Sequence, residues 1–302
     1  MNATQIRGHA AAFVTIFIWG TTFISTKLLL EAFQPLEILF LRFVLGFAAL
    51  IIACPRRCTI TDRRQEAVFA AAGLCGIFLY YLLENVALSY TMASNVGVII
   101  SVAPCFTALL TRALGSERLQ PTFFVGFAVA LLGIGLMNWG GSRLCLNPLG
   151  DLLALGAAAV WAAYAVLSRK ISRFGYPVIQ STRRIFGYGL LFMLPCVALS
   201  GAWPDMRRLT SLPAMCNLLY LGLGASALCF VTWNFAVGAL GALRTSAYIY
   251  AVPVITVATS ALVLHEPVTP ATVIGTALTL TGLLISERKN TDERRNSHEP
   301  RK

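Results

Sequence analysis

The sequence has little charge for its size. Only 12% of its 302 residues are Asp, Glu, Lys or Arg, about half the share found in soluble domains. Apolar residues make up 57% of the chain, and the mean hydropathy is +0.72. So few charges cannot cover a water-exposed surface of ordinary extent, which excludes a soluble globular protein. The composition indicates an integral membrane protein.

The residue sets that carry chemistry are also missing. No lysine follows a glycine, which excludes a P-loop. The eight cysteines show no metal-ligand spacing, and the histidines lie at predicted helix ends or in the tail. Only one of the thirteen acids, Glu84, lies clearly within a predicted span. An integral membrane enzyme is therefore disfavoured, and we expect no cofactor and no metal.

Apolar runs of the length needed to cross a bilayer, ~20 helical residues, fill most of the chain. They predict ten transmembrane helices joined by short loops, with no soluble domain. The first run is too long for a signal-peptide core and is interpreted as a retained helix. The predicted spans are 10–30, 36–54, 67–88, 92–113, 122–138, 150–168, 178–200, 214–236, 245–264 and 271–286.

Basic residues are distributed unevenly among the loops. With the N-terminus in the cytoplasm, the inner loops and tails hold 17 Lys and Arg, whereas the outer loops hold four. This positive-inside asymmetry predicts that both termini are cytoplasmic, with Cys58 inside and Cys145 outside. The net charge of +11 then requires no nucleic-acid partner. Trp139 and Trp203 fall at predicted outer boundaries, where an aromatic belt is expected.

An internal repeat organises the chain. A shift of 142 residues superimposes Trp19 on Trp161 and Arg42 on Arg184. Because each half has five helices, an odd number, the second half begins on the opposite side of the membrane. We therefore predict an all-α polytopic membrane protein of ten transmembrane helices arranged as two inverted five-helix repeats, 1–148 and 149–286, with a basic cytoplasmic tail at 287–302. A shift of 149 residues superimposes Asn85 on Asn234, Ala87 on Ala236, Ala93 on Ala242, Pro104 on Pro253, Glu117 on Glu266, Pro121 on Pro270, Gly126 on Gly275 and Gly133 on Gly282.

The stretch "PVITVATSALVLHEPVTP" in the second half and its counterpart in the first each place a glutamate between two prolines. Glu117 and Glu266 mark the end of the fourth helix of each half. We expect them to anchor loops at the lipid headgroups, where each faces the positive end of the fifth-helix dipole. A role in transport is the less favoured interpretation.

The segments from Asn85 to Leu136 and from Asn234 to Ile285 resemble the duplicated EamA domain of the drug/metabolite transporter superfamily. The stretches "FIWGTTFISTK" and "FLRFVLGF" resemble the same family. The resemblance covers essentially the whole chain. It implies a ten-helix transporter whose central cavity is lined mostly by the first, third and fourth helices of each half. The second copy departs from the first by replacing Glu84 with Trp233 and Asn95 with Arg244.

Inverted repeats favour a secondary transporter or exporter, because they provide two related conformations around a midplane site. A channel or a purely structural bundle is the third interpretation, after an enzyme. Polar and aromatic side chains in the spans are the candidate cavity residues, although buried packing explains the tryptophans equally well and helix-to-helix bonding remains open for the asparagines. The candidates are Trp19, Thr22, Tyr80, Tyr81, Glu84, Asn85, Asn95, Trp161, Tyr164, Trp233, Asn234 and Tyr248.

An aromatic cavity with few fixed charges suits flat, partly apolar, neutral or zwitterionic solutes. Because Arg42, Arg183 and Arg184 are placed nearer span ends, anionic sugar phosphates are disfavoured, and amino acids, aromatic ones in particular, are preferred. A multidrug, nucleoside or other metabolite transporter of the same fold is the alternative. Glu84 is either a proton-coupling group or an acid that snorkels to the outer surface.

The expected partners are a small-molecule solute and the lipid bilayer. We expect a multi-pass protein of the bacterial cytoplasmic membrane. The sequence is compatible with a monomer and leaves a homo-oligomer open.

Overall fold

The computed structural model describes residues 3–56, 59–60, 62–114, 121–139, 148–204, 208, 211–241, 245 and 247–296. Cys58, Glu117 and Cys145 lie outside the described residues, and so does the side chain of Trp139. The expectations placed on these four residues therefore stay predictions.

Ten apolar helices run through the described residues, and they confirm the predicted ten-helix membrane fold. In chain order they are α1 (Ala3–Leu29), α2 (Pro35–Ala53), α3 (Arg63–Tyr90), α4 (Ala93–Ala113), α5 (Pro121–Trp139), α6 (Pro148–Ser172), α7 (Val178–Ser200), α8 (Leu212–Leu240), α9 (Val252–Val263, preceded by a 3-10 turn over Ala247–Ala251) and α10 (Pro270–Asn296).

Several helices are longer than the apolar runs that predict them. Helix α1 begins at Ala3 instead of 10, and α10 continues to Asn296 instead of ending at 286. Hydropathy marks where a helix lies in hydrocarbon, but helix-forming Glu, Arg and Lys extend it into water. The predicted tail from 287 is therefore helical through Asn296.

The third helices, α3 and α8, each contain a π-helical segment. It covers Leu74–Leu79 in α3 and Tyr220–Leu228 in α8. A shift of 149 residues carries Leu79 onto Leu228, so the two segments end at equivalent positions. Such segments are rare in α-helices and occur frequently at functional sites.

The fourth helices, α4 and α9, are interrupted at equivalent points. In α4 the first segment ends at Ile100 and the second begins at Ala103. In α9 the 3-10 turn gives way to α-helix at Val252, which is 149 residues after Ala103. A proline follows each restart, Pro104 and Pro253, and lacks the N–H of a continuous helix. Interrupted helices in corresponding positions of two halves point to the binding site of a transporter.

The fifth helices, α5 and α10, pack against each other along a seam of four glycines, Gly126, Gly133, Gly275 and Gly282. A Cβ on Gly133 would lie 2.6 Å from the carbonyl oxygen of Gly275, and one on Gly282 would lie 2.5 Å from that of Gly126. The shift of 149 residues exchanges these two contacts. The seam therefore follows a two-fold relation between the halves, and residues without a Cβ permit the close approach.

Candidate functional site

A small cavity lies where α1, α3, α4, α6 and α9 meet. Its volume is about 30 Å³, which is room for one or two water molecules and too little for an organic solute. The described conformation is therefore contracted around this site. The lining residues are Ile16, Trp19, Thr22, Phe23, Tyr80, Tyr81, Glu84, Ile100, Ala103, Trp161, Ile249 and Val252.

Half of the lining comes in pairs that the internal repeat relates. The cavity is therefore bordered by equivalent helices of the two halves. The interrupted fourth helices contribute two of the pairs, directly at their breaks. The pairs are Trp19 with Trp161, Ile100 with Ile249, and Ala103 with Val252.

A larger groove lies elsewhere, between α2 and α7, with a volume of about 600 Å³. Its walls include Ile51 and Leu191, whose side chains are exposed on the outside of the bundle. Apolar side chains on that surface face the hydrocarbon of the bilayer. This groove therefore opens on the outer surface of the bundle and shares no lining residue with the small cavity.

The tryptophans predicted near mid-membrane meet at the cavity. The ring centroids of Trp19 and Trp161 are 5.3 Å apart in an edge-on arrangement, which confirms their predicted convergence. Trp19 also contacts Trp233, with ring centroids 5.2 Å apart. The indole N–H of Trp19 donates to the carbonyl oxygen of Ala225 at 2.9 Å, inside the π-helical segment of α8. That hydrogen bond fixes the orientation of the ring.

Glu84 projects from α3 into the cavity and is 1% exposed. The alternative that it snorkels to the outer surface is therefore wrong. Tyr80 lies one turn earlier on the same helix and also lines the cavity. Oε1 of Glu84 has no hydrogen-bond partner among the described residues. A buried carboxyl oxygen without a partner is costly unless a proton or a ligand satisfies it.

Arg42 was expected near a span end, but it is the eighth residue of the 19-residue helix α2 and is 0% exposed. Its Nε donates to Oγ of Ser226 at 3.1 Å. Its guanidinium carbon lies 4.3 Å from the ring centroid of Tyr81, a cavity residue. Neither terminal nitrogen has a hydrogen-bond partner among the residues that the structure describes. Arg42 thus stands directly behind the aromatic wall of the cavity.

The two repeated asparagines do not converge on the cavity, contrary to prediction. Asn85 donates from Nδ2 to the carbonyl oxygen of Pro35 at 3.1 Å. Asn234 donates to Oγ1 of Thr182 at 3.0 Å and accepts from the Ser168 hydroxyl at 2.9 Å. Each amide therefore bonds helices of its own half, the alternative that the sequence left open. An inverted repeat separates the pair because equivalent positions away from the axis lie on opposite sides of the membrane.

Four further candidates lie outside the lining. The Tyr164 hydroxyl donates to Asn234 at 3.1 Å, and the Tyr248 hydroxyl bonds Nδ1 of His9 at 2.7 Å. Asn95 donates to Oγ1 of Thr91 at 3.4 Å. Trp233 is fully buried behind the cavity. Their polar atoms, apart from the Trp233 indole, bond other helices or turns, so these residues support the wall.

Glu266 bonds a helix of the opposite half and does not extend to the headgroups as expected. Its carboxylate accepts from the backbone N–H of Ala93 at 2.8 Å and of Ser94 at 3.1 Å, and from the Ser94 hydroxyl at 2.6 Å. Those amides begin α4, so the carboxylate caps that helix and meets the positive end of its dipole. The preceding residue, His265, has a positive φ of 53°, which turns the chain after α9.

Lys27 reinforces the same corner. Its ammonium donates to the carbonyl oxygens of Leu88 at 2.5 Å and Thr91 at 2.8 Å, at the turn between α3 and α4. The end of α1, the α3–α4 turn and the end of α9 are thus joined by two charged side chains. We call this arrangement of Lys27 and Glu266 the outer clasp, because the charge distribution predicts that it lies on the outer side of the membrane.

The sequence did not indicate the apolar part of the lining, which comes from Ile16, Phe23, Ile100, Ala103, Ile249 and Val252. Such residues are indistinguishable from packing residues by type. The fourth-helix members do carry a signal, however. Each lies within four residues of the repeated proline, Pro104 or Pro253, where a helix break is expected.

The chain matches the EamA-like transporter family over residues 6–139 and 148–287. It is 27% identical over 289 residues to an uncharacterized transporter of Archaeoglobus fulgidus, covering 93% of this chain and 97% of that protein. It is 25% identical over 291 residues to a probable terminal-alkyne amino-acid exporter of Streptantibioticus cattleyicolor, covering 96% of each. A probable amino-acid metabolite efflux pump of Salmonella typhimurium is 26% identical over 290 residues, covering 91% of this chain and 93% of the pump.

A protein of known crystal structure shares the fold, with a TM-score of 0.66 and 22% identity over 95% of this chain and 99% of that one. The two matched stretches together span nearly the whole sequence. With ten apolar helices and a cavity between the halves, the chain belongs to the EamA-like transporter family.

Proposed function

We propose that this protein exports amino acids, preferably aromatic ones, across the bacterial cytoplasmic membrane by alternating access through the cavity. The observation that carries the proposal is the lining itself. Aromatic rings of Trp19, Trp161, Tyr80 and Tyr81 surround a single buried carboxyl group, that of Glu84. Rings offer flat apolar contact to a side chain, while the carboxylate attracts a solute ammonium group. The names of two relatives, an amino-acid exporter and an amino-acid metabolite efflux pump, agree with this substrate class.

Alternating access accounts for the small volume of the cavity. A site of about 30 Å³ cannot hold an amino acid, so the two halves must separate on one side before a solute binds. The outer clasp of Lys27 and Glu266 holds α1, α4 and α9 together on the predicted outer side. Opening toward the outside breaks those bonds. With both termini cytoplasmic, as the basic loops predict, release through this side is export.

Glu84 supplies the coupling to a proton gradient. One carboxylate cannot carry a proton and pair with an ammonium group at the same time, so proton uptake from outside releases the solute. The returning, protonated carrier then discharges its proton inside. This gives an exchange of protons for amino acids through one buried acid.

The test is solute transport by the purified protein in proteoliposomes. Labelled phenylalanine, leucine, threonine, a nucleoside and a cationic drug are supplied under an imposed pH gradient. We expect the amino acids to be accumulated, phenylalanine best, and the accumulation to vanish when the gradient is collapsed. Transport of the nucleoside or drug alone would replace this proposal with the alternative substrate class.

A further inference from the structure

Two buried ionisable side chains, Arg42 and Glu84, lie on either side of the cavity wall. Arg42 is 0% exposed and Glu84 is 1% exposed, yet no ion pair joins them among the described residues. Each retains polar atoms without a hydrogen-bond partner in the part of the chain that is described. Charges in a low-dielectric interior are stabilised by pairing or by full hydrogen bonding. Here neither condition is met by the protein alone.

A continuous row of side chains connects the two charges. The guanidinium carbon of Arg42 lies 4.3 Å from the centroid of the Tyr81 ring, and the Tyr81 and Tyr80 ring centroids are 4.7 Å apart. Tyr80 and Glu84 are four residues apart on α3, so their side chains are neighbours on one helix face. Both tyrosines and Glu84 line the cavity. Tyr81 and Glu84 are three residues apart on α3, so their side chains share a face about 5–6 Å apart. The cavity therefore has a negative end at Glu84 and a positive end at Tyr81, backed by Arg42.

We propose that this pair of charges selects zwitterions: Glu84 receives the ammonium group of the solute, and Arg42 attracts its carboxylate across the Tyr81 ring. The inference rests on the proposed function and specifies it, because it assigns Arg42 as a specificity-determining residue. A zwitterion adds no net charge to the site and aligns with both ends. An amine without a carboxylate leaves Arg42 uncompensated, and an N-acylated amino acid leaves Glu84 uncompensated. In a site from which water is excluded, both mismatches are costly.

The equivalent arginine of the second half, Arg184, forms an ion pair and serves as a comparison for Arg42. Arg184, 142 residues after Arg42, donates to Oε1 of Glu66 through Nε at 3.0 Å and through Nη2 at 2.5 Å. It lies at the surface and has a carboxylate partner. Arg42, by contrast, has one hydroxyl partner, Ser226, on the π-helical segment of α8. Terminal nitrogens without a hydrogen-bond partner among the described residues therefore distinguish Arg42, beside the cavity, from Arg184.

The experiment compares amino acids with their amides, which are cations at about pH 6.5 because an α-amino group titrates near pH 8. Binding of phenylalanine, leucine and threonine to the purified protein is measured beside that of phenylalaninamide, leucinamide and threoninamide. We expect wild type to prefer each acid over its amide. Arg42→Gln should reduce that preference at least tenfold, because one nearby charge in a protein interior contributes more than the ~1.4 kcal/mol that corresponds to tenfold. Arg42→Lys, which keeps the charge, should retain most of it.

Arg184→Gln is the matched control, because it removes a guanidinium from the equivalent helix position at the surface. It should leave the preference unchanged. Ser226→Ala serves as a second variant, since it frees Arg42 Nε without removing the charge. It should weaken the preference less than Arg42→Gln does. Ser226→Ala removes one buried hydroxyl and changes no charge. We therefore expect it to destabilise the fold less than Arg42→Gln does.

The outcomes separate this inference from the proposed function. If the protein binds none of the amino acids, the proposed function itself is overturned. If it binds amino acids and their amides equally well, or if Arg42→Gln keeps the wild-type preference, amino-acid transport stands and the role of Arg42 is rejected. Equal losses in Arg42→Gln and Arg184→Gln would also reject it, because they would reveal a general effect of positive charge.

Discussion

The third helices of the two halves, α3 and α8, both contain a π-helical segment but carry different side chains after it. Their π-helical segments end at equivalent residues, Leu79 and Leu228. Beyond that point α3 places Tyr80, Tyr81 and Glu84 on the cavity. The equivalent residues of α8 are Cys229, Phe230 and Trp233, and α8 contributes none of the described lining residues. The two helices thus share a π-helical segment, but only α3 contributes to the described lining of the cavity.

The difference shows how a symmetric scaffold binds an asymmetric solute. Elements that set the geometry are retained in both halves: the π-helical segments, the breaks before Pro104 and Pro253, and the glycine seam. An amino acid has two unlike ends, so a site with two identical ends would fit it poorly. Trp233 stands at the position equivalent to Glu84, so the described lining of the cavity has one carboxyl group and the equivalent position holds a large apolar ring.

Equivalent positions on the two helices should therefore respond in opposite ways to mutation. Trp233→Ala removes a fully buried indole and should lower the free energy of unfolding by ~3–5 kcal/mol. Glu84→Gln replaces a buried acid by a similar amide and should leave the free energy of unfolding unchanged or raised. It should nevertheless abolish the dependence of transport on the pH gradient. Denaturant unfolding in detergent and proteoliposome transport measure the two effects.

Trp203→Ala is the control for the first variant, because Trp203 is 56% exposed and its loss leaves no internal cavity. It should change stability far less than Trp233→Ala. A Glu84→Gln protein that is strongly destabilised would show that the acid is structural. A stable Glu84→Gln protein with wild-type transport at every pH would remove proton coupling from Glu84.

The glycine seam should behave symmetrically, unlike the third helices. Gly133→Ala and Gly282→Ala each put a Cβ within 2.6 Å of a backbone oxygen on the partner helix. Each should lower the free energy of unfolding by about 1–3 kcal/mol, the usual effect of overpacking. Gly135→Ala meets nothing within 4 Å and should be neutral or stabilising by up to about 1 kcal/mol.

Thermal unfolding of these three variants in detergent tests the two-fold contact between α5 and α10. Similar losses for Gly133→Ala and Gly282→Ala are expected because the repeat exchanges their contacts. If only one of them is destabilised, the two halves do not meet through a symmetric seam.

The smallest effect is expected at the outer clasp. Glu266→Gln keeps an acceptor but removes the charge that caps α4, and a cap contributes about 0.5–2 kcal/mol. The backbone N–H groups of Ala93 and Ser94 donate to this carboxylate, so the weaker cap should be detected at these two groups. Their hydrogen exchange should accelerate by roughly 2-fold to 30-fold, since 1.4 kcal/mol corresponds to tenfold. Unchanged exchange at both residues would exclude Glu266 as the cap. Glu31→Gln, at an exposed glutamate beyond α1, is the control.

The sequence predicted the parts of the fold that depend on local composition. Ten apolar runs gave ten helices, because the thickness of hydrocarbon dictates their length. The repeat then predicted that Trp19 and Trp161 meet, and they do. The division at residue 148 stays a prediction, although the repeated prolines mark corresponding helix breaks in both parts of the chain.

Long-range contacts between residues that are not equivalents in the repeat could not be predicted from the sequence. Arg42 was assigned to a span end, whereas its partner Ser226 lies 184 residues away in the chain, a contact that no local pattern indicates. Asn85 and Asn234 are repeat equivalents within the spans, but their amides bond different partners, Pro35 and Thr182. The position of Glu266 against α4 likewise depends on how the halves pack. Each of these contacts is set by tertiary structure.

The central claim is that solutes bind in the cavity between the halves, and solute protection of one engineered cysteine tests it most directly. Thr22 lines the cavity and is nearly buried, and Thr22→Cys is a small change. In a background without the native cysteines, we measure its maleimide labelling rate with and without phenylalanine. The account predicts that saturating phenylalanine slows this labelling at least several-fold, while labelling of a separate variant that retains only the exposed native Cys216 is unaffected. Labelling of Thr22→Cys that no amino acid slows would contradict it.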